Sequence, residues 1–167
     1  MKKRIIKYGV LAVTITITFF IFSMSSAPAG KSDEISLETT KAAVGFLAWI
    51  PFVDWTMDKM RELAYFWNPY IRKAAHFTEF AALGISSFLT VKLFMETKRS
   101  GRIAQIAFVY CITIACLDEF LQRFIEGRHG SIWDVLLDGS GSIAGILLFF
   151  VFSVLWKRAK RVNRDKG

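Results

Sequence analysis

Long uncharged stretches alternate with short charged ones along the chain. Residues 8–30 and 139–156 contain no charged side chain, and shorter uncharged runs cover 80–91 and 103–117. A helix of about 20 apolar residues crosses the roughly 30 Å hydrocarbon core of a bilayer. The run at 80–91 reaches that length when the polar residues at one end are included. The pattern therefore predicts four transmembrane helices, at about 5–26, 74–95, 103–122 and 132–156.

The segment between the first two predicted helices, residues 27–73, has two parts. Residues 27–43 are polar and turn-forming, so we expect an exposed loop or a loosely ordered stretch on the extracytoplasmic side. Residues 44–70 interleave aromatic with charged side chains, and 51–66 predict an amphipathic helix in the membrane interface. Such a helix serves as a lid or anchor on the bundle, or also as a wall for an amphiphilic ligand. The expected fold class is all-α, an integral membrane bundle of four transmembrane helices with an interfacial amphipathic helix between the first and second.

The charge distribution predicts an orientation. The net charge is +8, and the basic residues concentrate at the N-terminus, at 92–102 and in the C-terminal tail. With four spans all three regions fall on one side, which the positive-inside rule makes cytoplasmic. Both termini are therefore expected in the cytoplasm. Because topology and anionic lipid account for the basic tail, we expect no nucleic-acid partner.

The first predicted helix has an alternative interpretation. A basic start, an apolar run and Ala27-Pro28-Ala29 together resemble a cleavable signal peptide. The apolar run is longer than that of most signal peptides, however. Its removal would also leave three spans. The two remaining basic regions would then lie on a side that has no basic N-terminus. We therefore expect a retained transmembrane helix.

Ionisable residues cluster at the predicted outer ends of the second, third and fourth helices. An ionised group at a helix centre costs roughly 2.5 to 3.5 kcal/mol on insertion scales, so such groups indicate a functional site. Ion pairs that only fasten the helices together are the structural alternative. The candidate ligand-binding residues are Arg72, Lys73, His76, Glu79, Asp118, Glu119, Gln122, Arg128, Asp134 and Asp138. The candidate catalytic residues are Glu79, Asp118, Glu119 and His76.

Several of these features also have simpler explanations. His76 and Glu79 are i,i+3 neighbours that would either fasten helices together or ligate one metal. Asp134 completes a capping box with Ser131 at the start of the fourth helix. Gly141 and Gly145 are typical of close helix packing. Since no cysteine spacing typical of a metal site is present either, we expect no metal and no cofactor.

These motifs resemble the VanZ-like family of bacterial membrane proteins, named for a teicoplanin-resistance protein. The resemblance covers nearly the whole chain as a single domain, 1–167. It rests on FSMSS at 22–26, RKAAHFTEF at 72–80 with LG at 83–84, DEFLQRF at 118–124, and then Arg128, Asp134, Asp138 and Gly141. The chain departs from the family at Phe80, where Tyr is frequent, and at Asp138, where Asn is frequent. The resemblance implies a protein of the bacterial plasma membrane and, for some members, lower susceptibility to teicoplanin.

Three functions are compatible with these residues. The first is a binding or resistance factor in which Arg72, Lys73 and Arg128 meet anionic groups of a lipid-linked envelope precursor or lipoglycopeptide. The second is an intramembrane enzyme acting on a cell-wall lipid carrier or glycolipid through the candidate catalytic residues. No nucleophile elbow, P-loop or two-histidine zinc motif supports it. The third, transport or proton coupling through Glu79 and Asp138, lacks the internal repeat typical of transporters. Membrane lipids are expected partners in every case.

Overall fold

The described part of the chain is entirely helical. The computed structural model describes residues 1–47, 56–95 and 99–165. Within these ranges it contains five helices and no strand: α1 (Lys2–Ser25), α2 (Ala29–Leu47), α3 (Met57–Phe94), α4 (Ser100–Gln122) and α5 (Ile132–Asp165). Among the described residues, four segments are long and apolar enough to cross a membrane, namely α1, α3, α4 and Ile132–Trp156 of α5. The prediction of four long apolar helices is confirmed.

The helix that contains the second span is much longer than predicted. The sequence predicted a start near residue 74, whereas α3 begins at Met57 and continues through Pro69 to Phe94. Its 38 residues extend about 57 Å at helical rise, nearly twice the thickness of a hydrocarbon core. Thr56 caps its start by accepting a hydrogen bond from the Lys59 amide at 3.4 Å. About half of α3 therefore extends beyond the predicted span.

The segment between the first two spans also differs from its prediction. Residues 27–43 were expected to form an exposed loop, but α2 begins at Ala29, so that expectation is wrong for most of the segment. Packing outweighs the preference of these residues for turns, because α2 lies against α3 and buries Val44 and Thr40. Of the predicted interfacial helix at 51–66, residues 51–55 lie outside the described residues. The remainder is the beginning of α3.

The spans run antiparallel in sequence order, and α3 packs against α1, α4 and α5. A cluster around Phe80, Leu83 and Cys111 fills one half of the bundle. A second cluster around Phe88 and Ile103 fills the other. The end of the bundle that holds Ser25, His76, Gln122 and Ile132 is called the site end below.

Two glycines let α5 approach α3 closely. A Cβ atom added at Gly141 would collide with the backbone carbonyl of Phe77, and one added at Gly145 would collide with that of Ala81. Only hydrogen fits in these places. The predicted role of this glycine pair in helix packing is therefore confirmed, and the contact fixes α5 next to the His76 turn of α3.

Candidate functional site

A buried carboxylate at the site end connects α1 with α4. Asp118 is fully buried, and its Oδ2 accepts hydrogen bonds from the Ser25 hydroxyl at 2.8 Å and the Gln122 amide at 2.9 Å. Its second oxygen, Oδ1, is buried without a hydrogen-bond partner among the described residues. One half of this carboxylate therefore holds the first span in place, and the other half has unused hydrogen-bonding capacity.

Glu119 joins α4 to the start of α5. Its Oε2 accepts a hydrogen bond from the Ser131 amide at 2.8 Å, and its Oε1 accepts a longer one, 3.3 Å, from Gln122. Ser131 in turn accepts from the Trp133 amide at 3.2 Å, so it caps α5 as predicted. The other half of the predicted capping box is wrong. The Ser131 amide donates its hydrogen bond to the Glu119 carboxylate and not to the Asp134 side chain. Asp134 instead forms an ion pair with Lys73 at 3.6 Å.

Asp138 is the least satisfied acidic residue of the site. Its side chain is 1% exposed, and neither carboxylate oxygen has a hydrogen-bond partner in the described part of the chain. The nearby Ser142 hydroxyl bonds the backbone carbonyl of Asp138 at 3.0 Å and not its side chain. Four other carboxylates lie within electrostatic range: Glu79, Asp118, Glu119 and Asp134. A buried polar group that lacks partners is costly, so Asp138 is suited to accept a hydrogen bond from a ligand.

The basic residues of the site differ in their partners. Arg72 pairs with Asp33 of α2, and Lys73 pairs with Asp134. Arg128 has no acidic partner within ion-pair distance among the described residues, and its guanidinium makes only a 3.4 Å contact with the Met24 carbonyl. Burial, followed by the nearby Arg72 charge, lowers the pKa of Arg128. A guanidinium nevertheless stays charged at physiological pH, which makes Arg128 the natural anchor for an anion.

Two adjoining pockets open at the site end. The first, of about 310 Å³, is called the polar pocket; it lies between α3, α5 and the loop that joins α4 to α5. The second, of about 170 Å³, is called the apolar pocket because apolar atoms supply most of its surface, with Met24, Ile35 and Ile71 among its residues. Arg72, His76 and Arg128 line both pockets. The two pockets therefore share one charged border.

The pockets bring most of the sequence-predicted residues together. Glu79 lines the apolar pocket, while Asp118 lies behind the site and lines neither. The Nδ1 atom of His76 is buried without a partner in the described residues. The predicted residues that line the polar pocket are Arg72, Lys73, His76, Glu119, Gln122, Arg128, Asp134 and Asp138. Their function as ligand-binding or catalytic residues stays a prediction.

Three residues that the structure places here had no role predicted from the sequence. Asp33 was hidden in a segment expected to be a loop, and only the helical register of α2 brings it to Arg72. Ser25 lay in the quoted motif at 22–26 without a role, and it proves to be a partner of Asp118. His129 lines the polar pocket next to Arg128, in the loop between α4 and α5. Charged or hydroxyl residues at helix ends were the available signal.

Metal binding can be considered from the geometry alone. In the described ranges, no group of three or more His, Cys, Asp and Glu side chains is arranged to hold a metal ion. His76 and Glu79, the i,i+3 pair considered from the sequence, are not part of such a group. The site is therefore described by its carboxylates and cations.

Four apolar helices and a charged pocket at one end define a class, a helical multi-span membrane protein with an ionisable site. Residues 10–153 match the family model described as VanZ/LLP1, which covers most of the chain. The chain is therefore a membrane protein of the VanZ/LLP1 family, and the resemblance found in the sequence is confirmed. No curated protein and no solved structure matches the chain significantly.

Proposed function

We propose that this is a protein of the bacterial cell envelope whose site end binds a lipid-linked or lipidated ligand. The observation that carries the proposal is the border shared by the two pockets, formed by Arg72, His76 and Arg128. An amphiphile needs an apolar cavity beside a polar one, with a charged group where its tail meets its head. Arg128, which lacks an acidic partner among the described residues, supplies that charge.

In the proposed orientation the site end faces outward across the plasma membrane. The three basic regions would then be cytoplasmic together with both termini, as the positive-inside rule favours. Phe66, Trp67 and Tyr70 are exposed on α3 and contact one another about one to two turns before Arg72. We place these rings at the headgroup level of the outer leaflet, where Trp and Tyr are enriched. This keeps the interfacial role proposed for the 51–66 region, in a helix continuous with the second span.

The resemblance to teicoplanin-resistance proteins suggests a lipidated glycopeptide as one such ligand. Teicoplanin carries a lipid tail and acts outside the membrane, which agrees with an outward site of amphiphilic character. The proposal is that the protein lowers susceptibility to teicoplanin-type glycopeptides by engaging the tailed molecule or the lipid-linked precursor that it targets. Vancomycin, which lacks the tail, is the natural comparison.

The test measures teicoplanin and vancomycin susceptibility in a sensitive Gram-positive host. The host expresses wild type, Arg128→Gln or the matched control Arg123→Gln, with membrane abundance quantified for each protein. Arg123 is exposed, whereas Arg128 is partly buried and lines both pockets. We expect selective protection against teicoplanin by wild type and Arg123→Gln, and its loss with equally abundant Arg128→Gln. No protection by wild type would remove the antibiotic from the proposal and direct the search to native envelope lipids.

A direct binding test does not depend on the antibiotic. Lipids that copurify with wild type and with each variant are measured by native mass spectrometry. We expect wild type and Arg123→Gln to retain lipid-linked species that Arg128→Gln loses. Identical lipid profiles for all three proteins would contradict a binding role for the pocket border.

An intramembrane enzyme acting on a cell-wall lipid carrier or glycolipid is the second candidate function. The buried, unpartnered Nδ1 atom of His76, which lines both pockets, favours it, because acid–base catalysis needs a group free to exchange a proton. The test is conversion of lipid-linked substrates by purified protein, followed by mass spectrometry. Glu79→Gln, Asp118→Asn and Glu119→Gln are the variants. No conversion by wild type would exclude the enzyme, and full conversion by every folded variant would exclude these three carboxylates as its catalytic groups.

A further inference from the structure

Within the described residues, one cation and one buried carboxyl group of the polar pocket are left without partners. Arg72 is occupied by Asp33, and Lys73 lies 3.6 Å from Asp134. Arg128 has no carboxylate within 4.0 Å, and both oxygens of the buried Asp138 lack hydrogen bonds. Because a cation is stabilised by an anion and a buried carboxyl group is costly without a hydrogen-bond partner, this pair predicts a ligand that brings an anion to Arg128 and a hydrogen-bond donor to Asp138.

The positions of these two residues give the order of the charges. Arg128 stands on the border between the apolar and polar pockets, whereas Asp138 lines only the polar pocket. A ligand whose tail occupies the apolar pocket therefore meets the cation first and the carboxylate afterwards. Along the molecule the sequence of groups is tail, anion, cation.

The carboxyl groups around Asp138 reinforce this order. Glu119 lines the same pocket, and Asp118 and Glu79 lie within electrostatic range of Asp138. An ammonium group placed among these carboxyl groups favours their ionised form and is stabilised by it, whereas an anion beside Asp138 would not be. The anion is left with Arg128, whose planar guanidinium matches phosphate oxygens in a two-point hydrogen bond.

We propose that the ligand head consists of a phosphate ester followed by a primary amine, as in the aminophospholipid phosphatidylethanolamine. The phosphate binds Arg128, and the ammonium group donates hydrogen bonds to Asp138. This inference rests on the proposed lipid-binding function and specifies its ligand class. A phosphate without an amine leaves Asp138 unsatisfied, and a quaternary ammonium group has no N–H to donate to it.

The experiment measures lipid preference of the purified full-length protein. Nanodiscs contain phosphatidylethanolamine, phosphatidylglycerol and phosphatidylcholine in equal amounts, and lipid bound after release from the disc is counted by native mass spectrometry. We expect phosphatidylethanolamine to exceed each of the other two by about tenfold, the factor that one charge-assisted hydrogen bond supplies. A separate arm adds soluble phosphoethanolamine, which has the head but no tail and is expected to displace the lipid only weakly.

Two variants test whether Arg128 and Asp138 produce the preference for phosphatidylethanolamine. Asp138→Asn keeps the size of the side chain and is expected to abolish the tenfold preference while binding of phosphatidylglycerol persists. Arg128→Gln is expected to lower the binding of phosphatidylethanolamine and of phosphatidylglycerol, because it removes the cation that binds the phosphate. Glu126→Gln, on an exposed part of the same loop, is the matched control and should behave as wild type. If Asp138→Asn fails to fold, as judged by its elution profile, the relative binding of the three lipids to wild type tests the proposal. A preference of wild type for phosphatidylethanolamine supports it, and equal binding contradicts it.

The outcomes separate this inference from the function on which it rests. Equal, Arg128-dependent binding of phosphatidylethanolamine and phosphatidylglycerol would overturn the amine and leave the lipid-binding function intact. Absence of bound lipid in every protein would overturn both. Soluble phosphoethanolamine that binds as tightly as the lipid would show a head-group site without a tail site, and would overturn the lipid as its source.

Discussion

The Glu119 carboxylate accepts a hydrogen bond from the backbone amide of Ser131 at 2.8 Å, so a residue near the end of α4 satisfies the start of α5. The first amides of a helix have no partner within the helix itself, and a negative group also complements the helix dipole there. A side chain that looked catalytic in the sequence thus has a structural task. Asp138 and Arg128, by contrast, have no hydrogen-bonded or ionic side-chain partner among the described residues and are available to a ligand.

Glu119→Ala is expected to destabilise the protein more than Glu119→Gln, which keeps an acceptor for the Ser131 amide but loses the 3.3 Å hydrogen bond from Gln122. Alanine leaves the Ser131 amide without its acceptor, which costs about 1 to 3 kcal/mol. Glutamine retains a carbonyl oxygen at the same place. The measurement is thermal unfolding of the solubilised protein, followed by its elution profile after heating.

Glu126→Ala is the control for this pair, because Glu126 is exposed and a surface substitution changes stability by less than about 0.5 kcal/mol. If glutamine destabilised as much as alanine, the negative charge and not the acceptor would be the important feature of Glu119. If alanine were harmless, the cap would contribute nothing.

The close contact between α3 and α5 predicts a different response at two glycines. Gly145→Ala drives a methyl group into the Ala81 carbonyl and should destabilise the bundle by about 1 to 3 kcal/mol, as overpacking does. Gly139→Ala meets only the end of the flexible Ile112 side chain and should be tolerated. Thermal unfolding of both variants is the measurement. Equal stability of the two would contradict a backbone contact at Gly145.

The first helix is expected to remain in the mature protein, because hydroxyl groups tie it to two other spans. Thr18 lies 2.8 Å from the Tyr110 hydroxyl of α4, and Thr14 lies 2.8 Å from Thr90 of α3. A double-mutant cycle with Thr18→Val and Tyr110→Phe should give a coupling energy of about 0.6 kcal/mol, the average for such bonds within membranes.

The intact mass of the protein purified from membranes gives a second measurement of the same expectation. A mass that includes residues 1–27 agrees with a retained helix. A mass that begins near Gly30 would support signal-peptide cleavage and would leave Asp118 without its Ser25 partner.

The spans were predictable from the sequence because uncharged runs of this length have few alternatives to a membrane helix. Helix α2 was not, since its polar, turn-forming residues become helical only where Val44 and Thr40 pack against α3. The start of α3 was missed for a related reason. Hydropathy identifies the part of a helix inside the membrane and carries no information on how far that helix continues beyond it.

The candidate site was predictable in its membership but not in its pairing. Ionisable residues at helix ends are conspicuous in an apolar chain. Eight of the candidate residues predicted from the sequence therefore line the polar pocket. Which carboxylate meets which donor depends on rotation of one helix against another by fractions of a turn. The exchange of roles between Glu119 and Asp134 at the Ser131 amide is the consequence.

The orientation of the bundle gives the last prediction. Reporter enzymes that act only outside the cytoplasm, fused after residue 167 or inserted after Gly127, distinguish the two possible topologies. Gly127 is exposed in the loop between α4 and α5 at a positive φ of 74°, where the chain already turns sharply. Because the basic regions beside Lys7, Arg102 and Arg158 favour the cytoplasm, we expect an active reporter at the loop and an inactive one at the C-terminus. The opposite pattern would place the polar pocket inside the cell, and a ligand in the outer leaflet would then be excluded.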